Sequence, residues 1–160
     1  MYRRILVPVD GSTTSLNGLK EAVSLAKATG ARLRVLHVVD GLAFIAEHGG
    51  YVSDTEVFRQ SGEKMLAKIM PRVQQRVRAD SLLIENVAGR AADTIIDVAK
   101  EWRADLIVMG THGRRGVNRL VFGSDAELGI RTAPVPVMLV RAPDEPAKAK
   151  TKAGRKKKSR

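Results

Sequence analysis

The chain has 160 residues, 44% of them hydrophobic and none of them cysteine, enough for one domain with a real core and excluding disulfides and thiolate metal sites. No apolar run approaches the ~18–20 residues of a membrane span, and the N-terminus runs directly into a strand pattern without a secretory signal, so the expectation is a soluble cytoplasmic protein with no membrane partner. The formal net charge of +11 is unevenly placed: residues 1–140 hold 19 Lys/Arg against 15 Asp/Glu, a difference of +4, and residues 141–160 hold 9 against 2, a difference of +7.

Arg4 to Asp10 is an apolar run of strand length, ending near Pro8, which cannot donate a ladder hydrogen bond. Asp10-Gly11-Ser12-Thr13 is turn and N-cap chemistry. Leu16, Leu19, Val23 and Ala26 recur at helical spacing, and Gly30 is a natural stop. Leu33 to Val39 is a second strand, closed by Asp40-Gly41; strand, helix and strand with short connections make a βαβ unit whose crossover should be right-handed. Residues 41–53, with Gly41, Gly49, Gly50, Tyr51 and Ser53, read as a long loop. Val57, Met65, Leu66, Ile69, Val73 and Val77 then mark a helix that Pro71 should kink or interrupt. Leu82 to Val87 is a third strand. Gly89 leads into a helix carrying Ile95, Ile96, Ala99 and Trp102, the last read as helix core.

Asp105 opens the most informative stretch. Leu106 to Met109 is a continuous apolar run, as in a parallel strand covered on both faces. Gly110 and Gly113 turn the chain, Arg114, Arg115 and Arg119 make a basic loop, and Gly123 leads to Ser124-Asp125-Ala126-Glu127. Ser124 with Glu127 three residues on has the form of a capping box. Glycines let an anion approach backbone N–H groups, and a helix N-terminus adds donors and a positive dipole end. The order strand, glycine loop, capped helix is therefore a phosphate cradle. It is not the common P-loop, since neither G-x-x-x-x-G-K-[ST] nor G-x-G-x-x-G occurs. Ala133-Pro134-Val135-Pro136 breaks the chain, and Val137 to Val140 is a last short strand. Five strands with helices between them predict a doubly wound α/β sheet, whose ligands sit beyond the strands' carboxyl ends at the point where strand order reverses.

The spacing Gly110, two residues, Gly113, nine residues, Gly123-Ser124 resembles the G-2x-G-9x-G-[ST] signature of the ATP-binding branch of the universal stress protein family. Ile5-Leu6-Val7-Pro8-Val9-Asp10-Gly11-Ser12, Leu36-His37-Val38-Val39, Asp105 to Gly113 and Pro134-Val135-Pro136-Val137 extend the resemblance over essentially residues 2–141. It implies a five-stranded parallel sheet of order 3-2-1-4-5 and a domain over residues 1–141. It also implies an ATP site, with Mg²⁺ brought by the phosphates, and a homodimer through the last strand, Val135 to Val140. Carried over by residue, Pro8, Val9 and Asp10 lie beside adenine and ribose, and Val39 meets adenine through its backbone. Met109 and Gly110 lie against the ribose, and Gly113, Gly123, Ser124 and Asp125 hold the phosphates. Asp125 departs from the family pattern of a small or apolar residue; it would either repel phosphate or point away and support the helix dipole.

Asp10 has two readings, an Asx-turn at a strand-to-helix junction or a carboxylate for ribose hydroxyls or Mg²⁺. Ser124 is a cap, a phosphate ligand or both. His37 reads as a sheet residue, His48 and His112 as loop residues. No nucleophile is paired with a base, so there is no assembled catalytic set, and any ATP hydrolysis or autophosphorylation should be slow. The segment 142–160, with a basic run from Lys148 to Arg160, reads as a disordered tail. It is either a solubilising extension or an arm for nonspecific nucleic-acid binding. Three functions stay open: an ATP-dependent regulatory or stress-response binding module, a slow ATP hydrolase or autophosphorylating protein on the same fold, and a nucleic-acid-associated accessory protein acting through the tail.

Overall fold

Ile5, Leu6, Val7, Leu33, Val35, Leu36, Leu106, Ile107 and Val108 are each exposed by no more than 1%. Runs of this kind, buried on consecutive positions, need cover on both faces, which is what a parallel sheet with helices on each side provides. The computed structural model describes residues 1–40, 55–86, 90–111 and 131–141. Within them the order is β1 (Arg4–Pro8), α1 (Thr13–Thr29), β2 (Arg32–Asp40), α2 (Thr55–Gln74), β3 (Ala79–Asn86), α3 (Ala91–Glu101), β4 (Leu106–Gly110) and β5 (Val137–Val140). The strands form one five-stranded sheet in the order β3-β2-β1-β4-β5, with all four pairings parallel. This is the order expected from the sequence, and it puts the reversal between β1 and β4.

The two faces have separate cores. Ile5, Val7, Leu33, Val35, Leu106 and Val108 pack with Leu19, Val23 and Ala26 of α1 and Leu66, Met70 and Val73 of α2. Leu6, Leu36, Ile107 and Met109 pack on the other face with Ile95, Val98 and Ala99 of α3. Each large side chain so buried contributes roughly 1.5–3 kcal/mol relative to exposure. The β3-to-β4 connection runs back across the sheet, so a right-handed crossover places α3 opposite α1 and α2.

Several helix expectations are met and others corrected. Ser12 caps α1, its side chain accepting from the Ser15 N–H, and Gly30 closes it in the left-handed region at φ 72°. Pro71 does not interrupt α2, which continues to Gln74; the proline lies so near the end that the buried Met70 and Val73 hold the last turn together. Val57 is 61% exposed and belongs to the solvent face. Trp102 is the C-cap of α3, half-buried and packed against the core on that face, with the Arg34 guanidinium 4.7 Å from its ring centroid. The expected loop at 41–53, Val87, Gly89 and the helix start at Ser124 lie outside the described residues, as does the segment 142–160.

Polar groups tie the strand starts together. The Asp105 carboxylate accepts from the N–H groups of Arg3 (2.7 Å) and Arg4 (3.0 Å), so it extends the β1–β4 pairing with a side chain. Asp80 at the start of β3 accepts from Arg32 and Arg34 at 2.6 Å each. Burial of Asp80 works to raise its pKa, but hydrogen bonding and charge from Arg34, then Arg32, outweigh it, and the carboxyl titrates below its ordinary value.

Candidate functional site

The reversal point is built from the carboxyl ends of β1 and β4. Their register, Leu6 opposite Ile107, continued by two residues brings Pro8 level with Met109. Beyond it the chain leaves β1 through Val9 and Asp10 and enters α1. The Val9 N–H still donates to Leu36 O at 2.8 Å. The Val9 carbonyl lies 2.8 Å from His37 Nδ1; a carbonyl only accepts, so that nitrogen carries the proton. His37 is thus a sheet residue, as its position suggests, and it fixes the turn out of β1. It is seated by α2, where a Cβ on Gly62 would fall 2.5 Å from His37 Cδ2.

Asp10 is held by a compact set of small polar groups. Its N–H donates to Ser15 Oγ at 3.3 Å, and its Oδ1 accepts from the Ser12 N–H at 2.9 Å. The Ser12 hydroxyl accepts from the Ser15 N–H at 3.2 Å, and Ser15 Oγ donates to Ser12 O at 3.0 Å. The Asx-turn is therefore present, and Gly11 supplies the left-handed step it needs, at φ 83°. The turn orients the carboxylate at the mouth of the cleft, beside the N-terminus of α1 with its partial positive charge. The two readings of Asp10 are compatible.

Gly110 has a different use from the one its motif implies. A Cβ there would fall 2.7 Å from Thr14 C and 2.9 Å from Ser15 N, and a Cβ on Gly18 would fall 3.3 Å from Gly110 N. The first turns of α1 thus rest directly on the end of β4. Gly18 was not among the expected site residues; a glycine inside a helix costs ~1 kcal/mol against alanine and so signals a packing reason. Thr111, 2% exposed, then carries its N–H to Val140 O at 3.0 Å.

On the other side of β1 the sheet leaves a ledge. β1 stops at Pro8 opposite Leu36, while β2 continues to Asp40 along β3. The Arg32 N–H donates to Arg3 O, and the Leu33 N–H to Arg78 O. Even-numbered residues of β2 therefore turn their main-chain groups toward β1, and odd-numbered ones toward β3. Past the end of β1, the backbone groups of Val38 and Asp40 face the cleft with no strand of the described residues beside them. Those of Val39 face β3. Val39 itself is 6% exposed.

The structure thus brings Pro8, Val9, Asp10, Met109 and Gly110 to one end of the sheet, with Val38 and Val39 alongside. Gly113, Gly123, Ser124 and Asp125 lie outside the described residues, as do His48, His112 and the loop arginines. No group of three His, Cys, Asp or Glu among the described residues is arranged to hold a metal, and no described helix is long and apolar enough to cross a membrane.

The model of the universal stress protein family matches residues 1–141. A universal stress protein of Methanocaldococcus jannaschii is 34% identical over 146 residues, covering 89% of this chain and 84% of that protein. A universal stress protein family member of Burkholderia pseudomallei superposes with a TM-score of 0.72 at 34% identity, covering 88% of this chain and 97% of the other. The universal stress protein of Archaeoglobus fulgidus, solved in complex with dAMP, superposes with a TM-score of 0.64 at 23% identity, covering 87% of this chain and 98% of the other; that likeness speaks for the fold. A family match over nearly the whole folded part, joined to this strand order, means that the chain belongs to the universal stress protein family.

Proposed function

We propose that the protein is an ATP-binding universal stress protein, a regulatory module whose binding state follows adenine nucleotide. The observation that carries this reading is the cleft at the reversal point: a carboxylate fixed by an Asx-turn on one side, and on the other a ledge of main-chain groups with no strand of the described residues beside them. Such a ledge suits the donor and acceptor edge of adenine, and Val38 takes the contact that the motif alone would give to Val39. Asp10 is placed for ribose hydroxyls or for Mg²⁺ arriving with the phosphates. Gly113, Gly123, Ser124 and Asp125 are the phosphate segment by their spacing. The dAMP held by the relative from Archaeoglobus fulgidus supports an adenine nucleotide as the ligand class. The edge strand β5, with Met138 38% exposed, is the face proposed for a homodimer.

The test is the nucleotide content of the purified full-length protein and its ATP affinity by calorimetry with and without Mg²⁺. Bound adenine nucleotide in the wild type, lost in Gly113→Val, is the expected result. Asp10→Ala should weaken ATP by about 10–100-fold, the effect of losing one hydrogen bond to a charged group. No binding up to millimolar ATP would overturn the proposal.

A further inference from the structure

The amino ends of the strands form the rim opposite the nucleotide cleft, and this rim is rich in arginine. Six exposed arginines stand on it: Arg3 and Arg4 at β1, Arg32 at β2, Arg76 and Arg78 before β3, and Arg103 before β4. The half-buried Arg34 is a seventh; Asp80, Asp105 and Glu101, the last residue of α3, oppose them, which leaves a difference of +4. The two aspartates are already engaged. Asp80 holds Arg32 and Arg34, and Asp105 accepts from backbone N–H groups. Arg4 donates to Trp102 O. Among the described residues no acidic side chain pairs with Arg3, Arg76, Arg78 or Arg103.

A simpler explanation is that cations offset helix dipoles, since α1, α2 and α3 all end at this rim. Three helix C-termini carry about −1.5 charge together, and Lys27, Arg72 and Lys100 already sit in their last turns. The dipoles do not account for a further +4. Arg103 points the same way. It adopts φ 54°, a left-handed position that costs an L-residue roughly 1–2 kcal/mol and that α1 fills with Gly30.

From the row and its unpaired charge we propose that this rim is a nonspecific binding surface for the phosphate backbone of duplex nucleic acid. The row crosses four adjacent strands, about 14 Å at ~4.8 Å per strand. Duplex DNA carries one phosphate per ~3.4 Å of helix axis on each strand, so a row of this length lies within reach of several phosphates for its four unpaired guanidinium groups. Arginine's planar fork suits phosphate better than lysine's point charge. A protein partner would want an apolar anchor, but Tyr2 and Trp102 are packed on the core, which also removes them as stacking platforms for single-stranded bases. The surface is distinct in sequence from the basic run at 148–160 and lies at the far end of the sheet from the cleft, so nucleotide and nucleic acid can be bound together.

The experiment titrates the full-length protein into a labelled mixed-sequence DNA duplex of about 20 bp, between about 50 and 200 mM KCl. Replacing Arg3, Arg76, Arg78 and Arg103 by Gln should flatten the slope of log K against log salt by about 3.6, at ~0.9 per phosphate contact. Lys156→Gln/Lys157→Gln/Lys158→Gln, in the otherwise intact chain, should leave the rim's share of the slope in place. Poly-glutamate at matched charge should compete poorly. An unchanged slope in the rim variant, no binding by the wild type at about 50 mM salt, or equal competition by poly-glutamate would each overturn the proposal. Should the fourfold variant melt early, Arg76→Gln/Arg78→Gln carries the same test with a slope change of about 1.8.

Discussion

Gly110 sits at the centre of the residue-scale organisation, because two different demands fall on it. Its motif position belongs to the proposed ligand loop, while its missing side chain lets α1 rest on β4. The atoms a Cβ would meet, at 2.7–2.9 Å, belong to the Thr14–Ser15 backbone and cannot rotate away. Gly110→Ala should therefore cost about 1–3 kcal/mol by overpacking, a fall of roughly 2–10 °C in melting temperature for a chain of this size. A melt within 1 °C of wild type, on the order of the smallest such shift, would show that α1 yields easily. Asp80 supplies the second prediction at this scale. Its unfolded reference is 3.8 and its folded value is lower, so its contribution is full above that reference and is lost as pH falls through the folded value. Being partly exposed, the cluster is worth about 1 kcal/mol or less. The gap in urea midpoint between wild type and Asp80→Asn should be open at neutral pH and close in acid; a gap that widens in acid would contradict the assignment.

At the scale of elements, the junction of β1 with α1 does two jobs through one set of short side chains. Ser12 caps the helix, Ser15 receives the Asp10 N–H, and the cap turn aims the Asp10 carboxylate. Ser12→Ala should cost about 1 kcal/mol of stability through the lost cap. It should leave ATP affinity nearly unchanged, because the bond to the Asp10 carboxylate comes from the Ser12 backbone N–H, which alanine keeps. Thermal melts paired with calorimetry read both; a stability loss accompanied by a large loss of ATP affinity would show that the Ser12 hydroxyl itself supports the site. The α2–β3 surface shows how a neighbouring element is pinned differently. Arg59 bridges Glu56, Glu63 and Glu85, and the Arg59 hydrogen bond, ahead of Gln60, lowers the Glu56 pKa to about 2. These groups are exposed, and their worth is screened by salt.

For the whole molecule, the two proposals fall at opposite ends of the parallel sheet. At the carboxyl ends, connections leave for helices whose N-termini present donors and positive dipole, which suits nucleotide. At the amino ends, strands begin after helix C-termini, and arginine gathers there beyond what the dipoles require. The two proposals therefore predict independence. Saturating ATP should change duplex affinity little, and the rim variant should keep its ATP affinity. Strong coupling in either direction would require a conformational change linking the two ends, with the reciprocal effect on the other ligand.

Much of this was legible in the sequence because it depends on local pattern. Buried parallel strands announce themselves as unbroken apolar runs, so β1, β2 and β4 were readable, and the cap at Ser12 and the stop at Gly30 follow from side-chain and backbone chemistry within a few residues. Val57 went astray because helical spacing alone does not say which end of an apolar stripe overhangs the sheet. The strand order came from resemblance, not from periodicity. The remaining features are properties of register and contact between distant segments. Only the pairing of β2 with β1 and β3 decided that Val38, and not Val39, faces the cleft, since one residue of offset reverses every main-chain group. Only the docking of α1 gave Gly18 and Gly110 a common purpose. And only the sheet brought together arginines spread from Arg3 to Arg103, because a sequence records what is adjacent along the chain, whereas the rim is formed by what is adjacent across it.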